Sequence, residues 1–402
     1  MMPETTLFSP EFLRDPYPLY RTLRASDPVH EFAPGAWMLT RYHDVRQILA
    51  DPAYLHWTSQ PSAAGQPQSA LARWVRLMDP RNGSALRKLV LELFSPAALQ
   101  ELQRFIECET ETLLDQIERS NSADAVLDVA APLASAVILR LMGLSTGDHA
   151  LYLSAGKMLF AHCMSGEGLV DDGPVAQLQR AVLTAMETET DVSHPTILGA
   201  VRRASQLGEA VDAEDVIAFT AIFLYAGSEN IMNFLGNSIL ALSLRPEQWE
   251  LLFANSRLLH SAVEELMRFE SPVQCVNLAL ASDRELGGRK LAAGDTVLAS
   301  IAAANRDPSV FDNPDSLDIA RNVNPHLSFG TGAMYCIGAE LARMEARVLL
   351  RSLTNRFKPF QLQNSELRWR SHPHVLRGLE SLEVGVTPWN TPIEHLPRTM
   401  TR

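Results

Sequence analysis

The sequence predicts a mainly α-helical fold with a smaller β region, that is, an α+β class in which helices dominate. Residues 216–236 form an apolar segment long enough for a helix, and residues 339–350 form a second helical run after a glycine-rich loop. Runs rich in strand-forming residues flank Gly287 and Gly288 and predict a hairpin over residues 286–298. Because a helix that is apolar on all sides must be buried, we expect residues 216–236 at the centre of the molecule.

The N-terminal part alternates turn residues with short helical and extended segments. Residues 15–24 begin with turn residues and continue as a helix, and residues 36–40 have the pattern of a short strand. Residues 42–50 form a helix that ends before Pro52. Residues 58–70 are rich in Ser, Pro, Gln, Gly and Ala and predict a loop.

Helical patterns continue through the middle of the chain. Residues 98–120 and 125–146 have helical patterns, whereas residues 148–193 show weak patterning with scattered glycines and acidic residues. Asp212 is a candidate N-cap of the long apolar helix, with Asp215 three residues later.

The composition is that of an ordinary folded protein of 402 residues, with 46% hydrophobic and 20% charged residues. Its 35 basic and 47 acidic side chains leave a net charge of −12, which argues against nucleic-acid binding. The N-terminus lacks the basic and apolar regions of a signal peptide, and the strongly apolar run 216–227 is too short to span a bilayer. We expect a single domain over residues 1–402, cytoplasmic and not bound to a membrane.

Cys336 is distinguished from the other cysteines by its position. Cys108, Cys163, Cys275 and Cys336 form no Cys-x-x-Cys pair and no zinc spacing, and such sparse use fits a reducing compartment. Cys336 ends a glycine-rich loop at the start of a helix, where backbone amides stabilise a thiolate that can bind a metal. A lone cysteine beside a helix is more often a small core residue, so the loop alone leaves both interpretations open.

The long apolar helix carries two residues that are costly at their positions. Gly227 costs about 1 kcal/mol relative to alanine inside a helix, and Glu229 is an acid that needs hydrogen-bond partners in an apolar segment. Small residues at Ala226 and Gly227 leave room for a cofactor or O2 against the backbone. Four residues share one face by i, i+3, i+4, i+7 spacing: Phe219, Ile222, Phe223 and Ala226.

Three motifs in this order resemble those of the cytochromes P450, the heme-thiolate monooxygenases. The first is Ala-Gly-x-Glu in the long apolar helix, and the second is Glu-x-x-Arg at Glu265 and Arg268, followed by Ser-Pro-Val. The third is Phe-x-x-Gly-x-x-x-Cys-x-Gly, which ends at Gly338. Taken alone, Glu265 and Arg268 are an ordinary pair on a helix face. The resemblance covers nearly the whole chain and implies a P450-like fold, with heme between a long central helix and the cysteine-loop helix.

The resemblance implies a role for each residue around a heme b iron. Cys336 would be the axial ligand, whose thiolate favours cleavage of the O–O bond. Gly227 would make room at the iron, and Glu229 and Asn230 would manage protons. Asn230 stands where the family usually has threonine; its amide can donate and accept hydrogen bonds, and a polar filler is the alternative. The remaining cofactor contacts would come from Ala226, Phe329, Gly330, Gly332 and Gly338.

The resemblance also indicates that the heme propionates have few basic partners in this chain. Arg87 matches an arginine that binds a propionate in the family; an ordinary solvated arginine is the alternative. Three positions that usually carry basic residues hold Gly83, Leu278 and Met334. A buried carboxylate without a partner costs on the order of several kcal/mol. We therefore expect water or substitute side chains to fill these places, the candidates being His326, Arg73, Arg76 and His56.

Two further arginine roles follow from the resemblance. Glu265 and Arg268 would form a buried structural network with Arg321, which serves folding and heme incorporation. Electrons from a ferredoxin and its reductase would enter behind Cys336, where Arg343 and Arg347 lie on the following helix. A structural role is the alternative for Arg343 and Arg347.

The substrate pocket would be lined by side chains from several segments, with core packing or surface loops as the alternative for each. The candidates are Trp74 and Leu77 after the 58–70 loop, Phe160, His162 and Met164 in the weakly patterned region, Phe219, Ile222 and Phe223 on the apolar helix, and Val375 near the C-terminus. An apolar pocket of this kind suits a small, apolar natural-product intermediate.

The leading hypothesis is a monomeric monooxygenase that inserts one oxygen atom into such a substrate, with O2 and two electrons from a ferredoxin. One alternative is a heme-thiolate enzyme of atypical chemistry, such as oxidative coupling, cyclisation, desaturation or dehydration. Another is a heme-poor helper subunit that activates a different biosynthetic enzyme. Family-like helpers typically lack the cysteine, which is present here as Cys336.

Overall fold

Helices dominate the structure, as the sequence predicts. The computed structural model describes residues 9–51, 73, 77–78, 84–144, 149–164, 173–187, 195–332, 335–363, 366–370 and 376–389. Within these residues the helices begin with α1 (Pro10–Arg14), α2 (Tyr17–Ser26), α3 (Tyr42–Ala50), α4 (Ala85–Glu92), α5 (Pro96–Ser120), α6 (Ala131–Met142), α7 (His149–Met164), α8 (Gly173–Glu187) and α9 (Ile197–Gln206). They are followed by the central helix α10 (Ala213–Ser243), α11 (Pro246–Ala254), α12 (Leu259–Phe269), α13 (Ile301–Ala304) and the cysteine-loop helix α14 (Ala339–Arg356).

The strands form small sheets beside the helices. In chain order they are β1 (Val29–Ala33), β2 (Ala36–Leu39), β3 (Ser122–Asp124), β4 (Cys275–Ala279), β5 (Arg284–Leu286), β6 (Arg289–Leu291), β7 (Thr296–Ser300), β8 (Gln361–Leu362) and β9 (Glu383–Gly385). One sheet has the order β1-β2-β7-β4, in which only β2 and β7 run parallel, and a second has the order β3-β9-β8.

The predicted hairpin is shorter than its sequence pattern suggests. β5 and β6 pair around Gly287 and Gly288, whose φ angles of 54° and 78° lie in the left-handed region that glycine adopts without strain. The continuing residues Thr296–Ser300 do not extend this hairpin; they form β7 in the four-stranded sheet. Only the first half of the 286–298 prediction is therefore a hairpin.

The central helix begins at a capping box and is buried along most of its 31 residues. The Asp212 carboxylate accepts from the backbone N–H of Asp215 at 2.7 Å, and the Asp215 carboxylate accepts from that of Asp212 at 3.1 Å. The helix packs against α6, α7 and a π-helical turn at Ala125–Ala130. This position agrees with the prediction from its apolar character on all sides.

Helices α7 and α8 lie in the region where the sequence pattern is weak. The apolar residues of α7 do not follow one face, so periodicity gives no signal for it. The helix nevertheless approaches the central helix closely at Gly156, where a Cβ would lie 3.3 Å from the Leu224 side chain. Glycine at this position permits the close packing of the two helices.

Three apolar clusters fill the interior. The largest joins the helices around the central helix, the second lies against the four-stranded sheet, and the third joins α1 and α2 to the same sheet. Residues Ala125–Met142 have the length and hydropathy of a membrane span, but 72% of that segment is buried inside the protein. A segment that is buried to this extent is typical of a helix in the protein core.

Glu345 is an acid buried inside the cysteine-loop helix. Its side chain is 1% exposed, and its Oε2 atom has no hydrogen-bond partner in the described part of the chain. Burial raises the pKa of Glu345 well above its ordinary value. Burial therefore favours the protonated form in the folded protein, whereas the unfolded chain ionises this side chain at neutral pH.

We predict that Glu345→Gln raises the free energy of unfolding more at pH 8 than at pH 5. Above the unfolded pKa of about 4.3, ionisation in the unfolded chain lowers native stability by up to ~1.4 kcal/mol per pH unit until the raised folded pKa is reached. Glutamine removes this dependence. Urea unfolding at several pH values measures it, with Glu101→Gln, an exposed acid on α5, as the control. A variant whose pH dependence equals that of the native chain contradicts a neutral buried Glu345.

Candidate active site

The cysteine loop, residues 329–338, is a tight turn that ends at the start of α14. Gly330 and Gly332 have φ angles of 72° and 69°, which glycine adopts without strain. The Cys336 N–H donates to the Phe329 carbonyl at 2.9 Å, and the Tyr335 N–H donates to the Gly332 carbonyl at 3.2 Å. These bonds hold Cys336 at the end of the loop.

Gly332 does not approach a cofactor through its missing side chain. A Cβ at Gly332 would lie 3.3 Å from the Cα of Ala50, so the close approach is to the backbone at the end of α3. A Cβ at Gly338 would meet no atom within 4 Å. The predicted cofactor contact of Gly332 therefore does not depend on its missing side chain, whereas Gly338 has open space at its Cβ position.

The Cys336 thiol is free and accessible to solvent. Surrounding protein atoms raise the pKa of this thiol by burial, while the Gly338 N–H and the Arg343 charge act in the opposite direction. An accessible cysteine with an N–H and a cation nearby is a suitable metal ligand.

A group of side chains on one side of the loop, the proximal cluster, consists of Glu264, His326, Phe329, Tyr335 and Arg343. The guanidinium of Arg343 donates to both oxygens of Glu264 at 2.7 and 2.9 Å, and lies 4.4 Å from the centre of the Phe329 ring. It also donates to the Tyr335 hydroxyl at 3.1 Å. Arg343 thus fastens the cysteine loop to α12, which is a structural role.

His326 belongs to the same cluster and is not available to a propionate. Its Nε2 atom lies 3.1 Å from Glu264, and its Nδ1 atom accepts from the Ser328 N–H at 3.3 Å. With Nδ1 as acceptor, Nε2 carries the hydrogen and donates to Glu264. The expectation that His326 replaces a missing propionate partner is therefore wrong.

Glu264 is held as a carboxylate by this cluster. Burial acts to raise its pKa, but hydrogen bonds from His326 and Arg343 and the positive charge of Arg343 outweigh burial and lower the pKa to about 2. The sequence pattern did not single out Glu264, although it precedes Glu265 directly.

The middle of the central helix opens to accessible space. Ala226 is exposed although most of this helix is buried, and Ile222 and Asn230 on the same side are partly exposed. The Oδ1 atom of Asn230 is buried and has no hydrogen-bond partner among the residues that the structure describes. A bound polar molecule such as water would supply the missing hydrogen bond to this oxygen, and the exposed Ala226 leaves room for it.

Gly227 faces away from that opening. A Cβ at this position would collide with the side chain of Ile138 on α6. The glycine therefore serves the close packing of α6 on the central helix. The prediction that Gly227 makes room at an iron is wrong, because the open side of this turn belongs to Ala226.

The carboxylate of Glu229 has two cationic partners that the sequence did not indicate. One oxygen pairs with Lys157 on α7, and the other lies 3.6 Å from Arg370. Glu229 and burial together raise the pKa of Tyr225, burial being the larger cause. These ion pairs satisfy an acid that would otherwise be costly in an apolar helix.

Of the five predicted pocket residues whose side chains the structure describes, three lie in the core. Leu77, Phe219 and Phe223 belong to the main apolar cluster, so they do not open to the space beside Ala226. The Phe160 ring stacks on Tyr225 with 4.0 Å between ring centres. Ile222 remains the predicted pocket residue with an exposed surface on this helix. Trp74, Val375 and the side chains of His162 and Met164 lie outside the described residues.

The guanidinium of Arg87 offers donor groups that the predicted contact with a propionate would need. Its Nε donates to the Met78 carbonyl at 3.1 Å, and its two terminal nitrogens have no partner within the described part of the chain. Arg73, by contrast, pairs with three acids at the start of the central helix: Asp212, Glu214 and Asp215. Arg73 is therefore not a substitute partner, because its charge is already neutralised there.

Leu278 also has a different place from the one expected. Its side chain is 2% exposed and packs in the apolar cluster of the four-stranded sheet, whereas the neighbouring Asn277 is exposed. A basic residue at Leu278 would point into that core. Gly83, Met334, Arg76 and His56 lie outside the described residues.

Glu265, Arg268 and Arg321 meet in one buried network. Arg268 donates to both oxygens of Glu265 at 2.7 Å, and Arg321 donates to Oε2 at 3.0 Å. The carboxylate also accepts from the Asn324 side chain and the Asp318 N–H, two partners that the sequence did not reveal. Arg268 further donates to the carbonyls of residues 305, 314 and 316.

The side chains present fit a heme. The site offers an accessible thiol at Cys336 for iron and an exposed alanine in the central helix for a porphyrin face. It also offers the unpartnered oxygen of Asn230 for a bound water and, among the described residues, the free nitrogens of Arg87 for a propionate.

The comparisons with known proteins agree with this fit. A family model described as cytochrome P450 matches residues 196–377. The chain is 33% identical to a vitamin D(3) 25-hydroxylase of Pseudonocardia autotrophica over 352 residues, covering 86% of this chain and 87% of that protein. It is 32% identical to a biotin biosynthesis cytochrome P450 of Bacillus subtilis over 391 residues, covering 94% and 97%. The crystal structure of CalO2 is similar with a TM-score of 0.82 and 29% identity, covering 95% and 98%.

We predict that Glu264→Gln lowers the free energy of unfolding by about 2–3 kcal/mol at pH 7 and by less below pH 4. A carboxylate with a folded pKa of about 2 stabilises the protein above its unfolded pKa and loses this contribution as pH falls toward 2. Urea unfolding at pH 7 and pH 3.5 measures the difference.

The matched control is Glu340→Gln, because Glu340 pairs with the same Arg343 but is 61% exposed. This change should cost less than about 1 kcal/mol at either pH. Equal losses for the two variants would contradict the role given to Glu264.

Proposed function

Because the chain belongs to the cytochrome P450 family, we propose that it is a heme-thiolate monooxygenase that oxidises a small, apolar natural-product intermediate. As a member of this family the protein is an oxidoreductase, and its cofactor is heme b. The observation that carries the proposal is the free, accessible thiol of Cys336 at the end of the cysteine loop. Bound through that thiolate, heme supplies the activation of O2.

The other residues of the site bind, orient and manage protons. The free nitrogens of Arg87 would bind a propionate as charge-assisted hydrogen-bond donors. Asn230 would hold a water through its unpartnered oxygen and its amide hydrogens. Glu229, the next residue, is kept near two cations and would take up and release protons.

The substrate class is inferred from the site and from the relatives. Ile222 and Ala226 present apolar surface at the opening of the central helix, which suits an apolar molecule. One relative is named as a hydroxylase and another for its place in biosynthesis. These names support an oxidation in the biosynthesis of a small molecule, and we propose that it takes place in the bacterial cytoplasm.

We further propose that the two electrons come from a ferredoxin through its reductase. Of the two arginines considered for the docking face, Arg343 is bound within the proximal cluster. Arg347 is half-buried and has no hydrogen bond within the described residues. Arg347 is therefore the better candidate for contact with an acidic electron donor.

A second reaction type is favoured by Asn230. An amide at the place of the family's usual threonine changes the hydrogen-bond donor beside the substrate, and its oxygen has no partner. Such a change suits oxidative coupling, cyclisation, desaturation or dehydration as the alternative chemistry. The mass of the product distinguishes them: a gain of one oxygen supports monooxygenation, and a loss of two hydrogens supports coupling or desaturation.

We predict that the purified protein contains heme and that its reduced form, under carbon monoxide, shows the thiolate-type shift of the heme band. Cys336→Ala should remove this shift, because the thiolate ligand is lost. Cys108→Ala, which changes an exposed cysteine on α5, should leave the shift unchanged. Absence of both extractable heme and the shift in the native chain would show that the proposed function is wrong.

A further inference from the structure

Glu229 is the point where three distant parts of the chain meet. Its carboxylate projects from the central helix toward Lys157 on α7 and toward Arg370 in the C-terminal segment, which comprises residues 366–370 and 376–389. The two cations approach different oxygens, Oε1 and Oε2. Each oxygen of the carboxylate is thus oriented by a different structural element.

The two cations are held very differently. The Lys157 side chain is 44% exposed, and an ammonium on a flexible four-carbon stem loses much conformational freedom when it is fixed. Arg370 is 25% exposed, and its Nε donates to the Leu379 carbonyl at 2.9 Å, while Nη2 lies 3.5 Å from the sulfur of Met232. Arg370 is therefore fixed independently of Glu229.

The segment that carries Arg370 is itself fastened to the central helix. The Arg370 N–H donates to the Gly378 carbonyl at 3.0 Å, and Gly378 packs so closely on Asn233 that any Cβ there would collide with its side chain. One turn further, the Asn237 amide donates to the Arg377 carbonyl at 3.0 Å. Because Glu229, Asn233 and Asn237 share one face of the helix, the C-terminal segment lies along this face.

We propose that Arg370 is a positioning residue for the reaction, which holds the Glu229 carboxylate in place beside Asn230. The proposal rests on the proton role given above to Glu229. Lys157 shares the carboxylate but belongs to α7, and within the described residues it forms no other ion pair. Arg370 is tied to the same helix as Glu229 through Met232 and Gly378, so it keeps the carboxylate oriented whether or not Lys157 is bound.

The test uses the holoprotein and needs no substrate. The dithionite-reduced protein is mixed with air-saturated buffer in H2O and in D2O, and the return of the ferric spectrum is followed. We expect Arg370→Gln to lower the rate of this return by about threefold to fivefold, the range of a partly exposed ion pair, and to change its solvent isotope effect. Arg370→Lys, which keeps the charge but not the planar fork, should produce a smaller change.

The decisive comparison is made in a second background. If Arg370 acts through Glu229, Arg370→Gln should have no further effect on the isotope effect in a protein that already carries Glu229→Gln. The matched control is Arg368→Gln, two residues earlier in the same segment, whose side chain is 72% exposed; it should behave as the native chain. An equal effect of Arg370→Gln in both backgrounds, or none in the native background, overturns the proposal.

A second readout does not depend on heme. In urea unfolding of the heme-free protein, the shifts of the midpoint caused by Glu229→Gln and Arg370→Gln should not add in the double variant, because both remove the same ion pair. Additive shifts would count against the proposal. If the native chain contained no heme and showed no carbon monoxide shift, the proposed function would be wrong. If the carbon monoxide shift were normal but the midpoint shifts of the two variants were additive, only the role of Arg370 would be wrong.

Discussion

The buried carboxylate of Glu265 is the interaction on which the rest of the site depends. It is fully buried with Arg268 and also accepts from Arg321 and Asn324. A buried ion pair overcomes its desolvation cost only when the hydrogen bonds of both partners are made. Apart from Arg268, its partners lie in the segment that leads from α13 to the cysteine loop. The bonds that satisfy this carboxylate therefore determine the path of the chain toward Cys336.

The neighbouring Glu264 secures the other side of the same loop. Successive residues on a helix point about 100° apart, so Glu264 reaches Arg343 and His326 while Glu265 faces the interior. One turn of α12 thus holds both the approach to the cysteine loop and the helix that follows it. The stacking of Arg343 on Phe329 joins the two. The loop keeps its shape through these contacts, and the thiol remains free.

Local patterns predicted much of this arrangement. The capping box at Asp212, the helix over residues 42–50 and the turn at Gly287 each depend on residues that are adjacent or a few positions apart. The weakly patterned region gave no such signal, because α7 has no single apolar face and is ordered by its packing on the central helix. The sequence also did not predict which neighbour each glycine approaches: Gly227 packs against the Ile138 side chain.

The sequence by itself determined the helical class, the family resemblance and the cysteine that would bind heme, because motifs carry their information within a few residues. Only the tertiary structure decided which partner each charge takes. Arg73 neutralises acids at the start of the central helix, His326 is bound to Glu264, and Glu229 is shared by Lys157 and Arg370. A charge pairs with whichever opposite charge folding brings within a few ångströms, and no local pattern encodes that distance.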